Sequence, residues 1–306
     1  MSRPLRVGVQ LPEAEREVPW AEYVALARHA EDLGFDSLWL GDHLLYREPD
    51  GTTAGPWEAW TMLAAIAAAT SRITLGPLVA CTAFHNPAVL AKQAATLDEV
   101  SGGRFVLGLG AGWNETEFRA FGIPFDHRIS RFEEAFTIIR TLLREGSIDY
   151  EGRFYQARDC ELRPRGPTPG GPRLLIGSSG ERMLRITAPH VDAWNAWFAD
   201  TGNSPQGVPA LRDRVDAACA EAGRDPAAIE RSVAVLVELP GAIGRRSGDT
   251  PEDNAVRAVR GTPDQMAAEL RGYAAVGIAE IQLVVDPMDR RSLDRLAPVL
   301  ERLGNT

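Results

Sequence analysis

Apolar and polar positions along this chain follow two alternating periods. Short runs, apolar on consecutive residues, predict strands covered on both faces at Leu5–Leu11, Ser37–Gly41, Ile73–Ala80, Phe105–Gly110, Arg173–Gly177, Ala193–Trp197, Ser232–Leu239 and Glu280–Val285. Between them apolar residues recur at helical spacing. Trp20, Tyr23, Val24, Ala27 and Ala30 form one stripe, which Gly34 ends. Glu58 to Thr70 is alanine-rich, with Met62, Leu63 and Ile66 as its larger apolar residues. Ala88 to Val100 follows Pro87, a residue suited to a first helical position. Late stripes run through Met266, Leu270, Tyr273 and Ala274, stopped by Gly277, and through Leu293, Leu296, Val299 and Leu300.

Eight β/α alternations predict an α/β chain closed as a (β/α)₈ TIM barrel, ahead of an open doubly wound sheet. The expectation is one domain over residues 1–306, with insertions after strands four and seven. Residues 111–172 are too long for one loop and helix. They hold a helix around Arg131–Arg144, a hairpin around Ile148–Leu162 and a Pro/Gly segment. Residues 240–261 are polar and glycine-rich and read as a mobile loop. Both follow the C-terminal end of a strand, the face on which barrels build sites.

Composition narrows the function. A net charge of −9 argues against a nucleic-acid surface, which needs an excess of Lys and Arg. The three cysteines are widely spaced and form no CxxC, so neither a disulfide framework nor structural zinc is expected. The first apolar run is too short for a signal peptide, and no stretch approaches the roughly 20 apolar residues that a bilayer requires. A reducing, cytoplasmic setting and a small-molecule substrate follow as expectations, with no membrane partner.

The strand ends hold the candidate chemistry. Asp42 and His43 close the second strand; a histidine exchanges protons near neutral pH, and a carboxylate can orient it. A capping Asp beside a packed His is the alternative. At His85 and Asn86 a plain turn and helix start is the simpler account. Gly108, Gly110 and Gly112 would let a ligand approach the backbone, or else pack tightly, and Trp113 beside them could stack on an aromatic ring. Their spacing is not the dinucleotide GxGxxG. Gly177, Ser178, Ser179 and Gly180 precede a helix from Glu181 and, with Arg182, read as a phosphate loop or a serine cap. The run GSSG lacks the GxSxG elbow of serine hydrolases. The chain has five histidines and no HxH or HExxH, so no catalytic metal is expected.

The stretch NPAVLAKQAATLDEVSGGRFVLGLGAGWNETEFRAFGIPF resembles the most recognisable block of the luciferase-like monooxygenases. EDLGFDSLWLGDH, GRFYQARDCELRPRGP and GTPDQMAAELRGYAAVGIAEIQLVV resemble the same superfamily, and SRFEEAFTIIRTLLREG resembles its F420-dependent members. The resemblance implies a homodimeric barrel holding a flavin or deazaflavin ring in its mouth. It implies that Asp42 and His43 touch the ring or act on a substrate proton. Leu78 and Val79 match a bulge behind the ring where relatives carry a non-proline cis peptide. Ala111, Gly112 and Trp113 match the loop beside it, and Ser178, Ser179, Gly180 and Arg182 the phosphate region. The sugar-phosphate dehydrogenase branch carries an acidic residue at the position of Trp113, so a Trp here points to an apolar or aromatic substrate. The expected function is hydride transfer between coenzyme F420 and a small organic molecule, catalysed by His43 with Asp42 orienting it or bonding the ring. An FMN-dependent monooxygenase is the alternative, and a flavin-binding protein without turnover is a further one.

Overall fold

The computed structural model describes residues 4–47, 50–243 and 256–304. In chain order its first elements are β1 (Arg6–Gln10), α1 (Trp20–Leu33), β2 (Ser37–Leu40), β3 (Tyr46–Arg47), β4 (Thr53–Ala54), α2 (Ala59–Ala69), β5 (Thr74–Pro77), β6 (Ala80–Cys81) and α3 (Pro87–Ser101). Then come β7 (Val106–Gly110), α4 (Glu115–Ala120), α5 (Arg128–Glu145), β8 (Ser147–Glu151), β9 (Gln156–Glu161) and β10 (Arg173–Gly177). The last are α6 (Glu181–Thr187), β11 (Ala193–Ala196), α7 (Val208–Glu221), β12 (Glu230–Glu238), α8 (Pro263–Ala275), β13 (Glu280–Asp286) and α9 (Arg290–Gly304). Parallel strands alternating with helices make this a (β/α)₈-barrel fold with insertions.

Two compact units make up the chain. One comprises Met1–Trp39 and Gly177–Thr306. Its strands pair in parallel in the order β2-β1-β13-β12-β11. β13 is buried at every position, as expected for a strand covered on both faces. The other unit, Leu40–Ile176, pairs β10 with β7 and β7 with β6, again in parallel, and a Leu75–Phe105 bridge ties β5 to the same set.

The third predicted strand is interrupted. The backbone turns aside between β5 and β6, where the Leu78 N–H donates to the Leu40 carbonyl at 2.7 Å and the Leu78-Val79 peptide is cis. The expected caps are present: Gly34 sits in the left-handed region at φ 82° after α1, and the Asn86 side chain accepts from the N–H groups of Ala88 and Val89 with Pro87 at the start of α3. Helix α2 has no glycine to end it. Its terminal carbonyls are taken instead by the guanidinium of Arg104, which donates to the Ala67 and Thr70 carbonyls at 2.8 and 3.1 Å.

The insertion after β7 holds α4, α5 and the antiparallel β8–β9 hairpin. Glu134 on α5 accepts the N–H groups of Arg153, Phe154 and Tyr155 at 2.9, 2.8 and 3.0 Å, so one carboxylate fastens the hairpin tip to the helix. Within the predicted loop 240–261, residues 244–255 lie outside the described residues. Among the described residues, no helix is long and apolar enough to cross a membrane.

Candidate functional site

Asp42 and His43 follow β2 directly, and both belong to the unit Leu40–Ile176. They do not pair with each other. His43 Nδ1 lies 3.0 Å from Glu117 Oε1, and Glu117 Oε2 accepts the Leu44 N–H at 2.8 Å. Glu117 is 1% exposed, so its carboxylate needs these donors to offset the loss of water. Asp42 is also buried; it accepts the Cys81 N–H at 2.9 Å, and its Oδ2 lies 3.4 Å from His85 Nε2. One carboxylate after β2 and one on α4 thus each hold one backbone N–H and face one imidazole.

Helix α4 places Glu117. Its N-cap is Asn114, whose side-chain oxygen accepts the Thr116 N–H at 3.2 Å while its amide donates to the Leu45 carbonyl at 3.1 Å. Asn114 and Glu117 together clamp the backbone of Leu44 and Leu45, the loop that carries His43. Below them Phe118 is fully buried, with the rings of Phe84 and Phe125 each 5.1 Å from its own. This pattern fixes the orientation of α4 and hence of the carboxylate.

The imidazole of His43 lies among aromatic rings. Tyr46 is 4.9 Å away between centroids, and Trp113 is 5.6 Å away at 68°, an edge-on approach. Trp113 is 44% exposed, which for a residue of this size leaves an accessible aromatic face beside the histidine. Val79 is partly exposed, whereas Leu78 is buried.

The glycines have a packing explanation. A Cβ on Gly108 would stand 2.2 Å from the Pro77 carbonyl oxygen. One on Gly112 would stand 2.5 Å from Cys81 Sγ and 2.7 Å from Phe118 Cζ, and Gly112 has φ +76°. Neighbouring atoms therefore already exclude a side chain at either position. Ala111 and Gly112 are both partly exposed, and the Gly112 carbonyl accepts from Arg128.

The loop after β10 belongs to the other unit. Ser178 accepts the Trp194 indole N–H on its carbonyl at 2.8 Å, and its hydroxyl accepts the Gly180 N–H at 3.4 Å. Gly180 is the N-cap of α6 without a side-chain cap, so no serine caps this helix. Ser179 precedes it, and Arg182 lies in the first turn of α6.

Sequence reasoning singled out His43, Asp42 and Trp113 but missed Glu117, Asn114 and Tyr46. Asn114 and Glu117 read locally as the first and last residues of a helix-capping box, N-x-x-E. That local reading conceals the use of Glu117 across the fold.

Burial pushes the Cys81 thiol far up, and the Asp42 carboxylate pushes it the same way. Burial also raises the Cys219 thiol. Because the thiolate is the nucleophile, both should resist alkylation. Brief iodoacetamide treatment of the native protein at pH 8 is expected to modify Cys160, which is partly exposed, well before Cys81 or Cys219. All three should react once the chain is unfolded. Peptide mass spectrometry reads this, and Cys81 labelling as fast as Cys160 in the native protein would contradict the described burial.

The fold agrees with the comparisons. The chain belongs to the luciferase-like monooxygenase family, matched over residues 4–240. It is 32% identical over 220 residues to the 5,10-methylenetetrahydromethanopterin reductase of Archaeoglobus fulgidus, covering 72% of this chain and 60% of that protein. It is 32% identical over 255 residues to an F420-dependent glucose-6-phosphate dehydrogenase of Kineococcus radiotolerans, covering 78% of this chain and 69% of the relative. A pyrimidine monooxygenase RutA of a Caulobacter species matches at 32% over 175 residues, 56% of this chain and 48% of its own length. Among solved structures, an F420-dependent secondary alcohol dehydrogenase in complex with an F420-acetone adduct superposes with a TM-score of 0.81. That match has 19% identity and covers 98% of this chain and 99% of the other, a likeness of fold.

Proposed function

We propose that this protein transfers a hydride between coenzyme F420 and a small apolar or aromatic organic substrate, with His43 exchanging the accompanying proton. The observation that carries the reading is the His43 imidazole, tied through Nδ1 to a buried carboxylate and flanked by Tyr46 and the exposed ring of Trp113. The residues fit a flat, largely apolar ring system. Trp113 and Val79 supply apolar surface, and His43 supplies one proton-exchanging group held by the buried carboxylate of Glu117.

A bound deazaflavin supplies the hydride-carrying carbon. The chain's own residues do the rest. With Nδ1 engaged by Glu117, His43 exchanges its proton through Nε2. Asp42 holds the β6 backbone through the Cys81 N–H and so supports the Leu78-Val79 turn from below. Trp113 walls the substrate side, and the indole favours an apolar partner over a phosphorylated sugar. Leu78, Val79, Ala111 and Gly112 are assigned to the ring, and Ser178, Ser179, Gly180 and Arg182 to the coenzyme phosphate, by their resemblance to family positions. Homodimerisation belongs to the same proposal.

The second reading is a reduced-FMN monooxygenase, favoured by the 32% identity to pyrimidine monooxygenases. Separate titrations with F420 and with FMN, followed by absorbance and fluorescence, distinguish the two. We expect F420 to bind at least about tenfold more tightly, a difference of about 1.4 kcal/mol. Tighter binding of FMN would reverse the order, and binding of neither would remove both.

A further inference from the structure

We infer that Glu117 is a positioning residue that sets the tautomer of His43, holding the proton on Nδ1 so that Nε2 is the basic nitrogen. The inference deepens the proposed role of His43 and rests on that reading for its catalytic consequence, though not for the tautomer itself.

Donors and acceptors around one buried carboxylate fix the tautomer. Oε2 faces the Leu44 N–H at 2.8 Å, and a backbone N–H can only donate. Oε1 faces His43 Nδ1 at 3.0 Å. An ionised carboxylate is acceptor-only, so Nδ1 must be the donor. In a neutral imidazole that leaves the lone pair on Nε2. Once Nε2 takes up a proton, the same carboxylate stabilises the imidazolium across a 3.0 Å contact with little water to screen it. Asn114 keeps the geometry from relaxing, because its bonds to Thr116 and to the Leu45 carbonyl hold α4 against the His43 loop.

The substitution Glu117→Gln tests this with almost no change of shape. The amide oxygen must stay on the Leu44 N–H, since the amide nitrogen cannot accept it. The amide NH₂ then faces Nδ1, which must become the acceptor, and the proton moves to Nε2. The variant therefore preserves the backbone clamp and inverts the tautomer.

The readout is ¹⁵N–¹H correlation of the imidazoles in the coenzyme-free full chain. Only five histidines contribute, and the signals of His43 are identified by their loss in His43→Gln. The wild type is expected to show Nδ1–H with a basic Nε2. Glu117→Gln should show the reverse, with imidazole protonation shifted down by about one pH unit or more through loss of the neighbouring charge. Turnover with F420 should fall about 100-fold or more in kcat, with coenzyme affinity kept within about threefold. Glu117→Asp, shorter but still a carboxylate, should retain the wild-type tautomer and recover part of kcat.

A merely structural Glu117 would lower stability in both variants and leave the tautomer unchanged. An Nε2–H tautomer in wild type would overturn the inference even if F420 turnover is found, and needs no variant to fold. The expected tautomer in a protein that turns over no F420 would support Glu117 as the positioning residue and overturn only the hydride-transfer reading.

Discussion

Replacing His43 by Gln is expected to lower kcat by about 10²–10⁴-fold, the range spanned by loss of one positioned acid–base group. Coenzyme affinity should change by less than about threefold, since the substitution leaves Trp113, Val79 and the Asp42 contacts in place. Gln suits the test better than Ala because its amide can still donate toward Glu117, whose carboxylate is 1% exposed and would otherwise lose a partner. Folding should therefore survive while proton exchange is lost. Steady-state kinetics with F420 and a reduced or oxidised substrate, alongside equilibrium binding, separate the two effects. A kcat within a factor of three of wild type would remove His43 from the reaction and leave the aromatic cluster as a binding surface only.

Arg104→Met should be among the most destabilising single changes in the chain, at about 3–5 kcal/mol. Arg104 lies two residues before β7 and reaches back across three segments. It donates to the Ser101 carbonyl at 2.7 Å, the Ile73 carbonyl at 2.7 Å and the Thr70 hydroxyl at 3.1 Å, besides the Ala67 and Thr70 carbonyls. Helix α2 thereby ends on a cation, which complements the negative end of its dipole. Met keeps the apolar stem and removes every donor, so the carbonyls at the end of α2 and before β5 lose their partner together. Arg104→Lys should restore only part of the loss, because an ammonium offers three donors where the guanidinium offers five in a fixed plane. Urea unfolding of the wild type and both variants measures this. A loss below about 1 kcal/mol for Met would mean that water replaces the guanidinium at little cost.

Much of the framework was legible in the sequence, for a local reason. Strand and helix periods follow from backbone geometry, so β10 appears at its predicted residues and β13 within one residue of them. Gly34 and Asn86-Pro87 act through their own backbone, and they cap α1 and α3 as read. The interruption of the third strand leaves no mark in the apolar pattern, because Leu78 and Val79 are as apolar as the residues that do pair; only the family resemblance pointed to a bulge there.

The site divides along the same line. Position at a strand end is a property of the chain order, and it brought out Asp42, His43 and Trp113. Choice of partner is not. His43 meets Glu117 across 74 positions, and Asp42 meets Cys81 and His85 about 40 positions on, so adjacency of Asp42 and His43 in the sequence suggested a pairing the side chains do not make. Successive residues leaving a strand point to different sides, and each finds whatever the fold packs there. The glycines show the same limit, since Gly112 could have been spared a side chain by a ligand or by Phe118, and only the packed neighbours distinguish them. Local periods along the chain disclosed the barrel strands, their order and which residues stand at the strand ends, but not α4 or the short β3–β4 pair. The tertiary structure alone decided which carboxylate serves which histidine, because hydrogen-bond partners are selected by distance in space and leave no period along the chain.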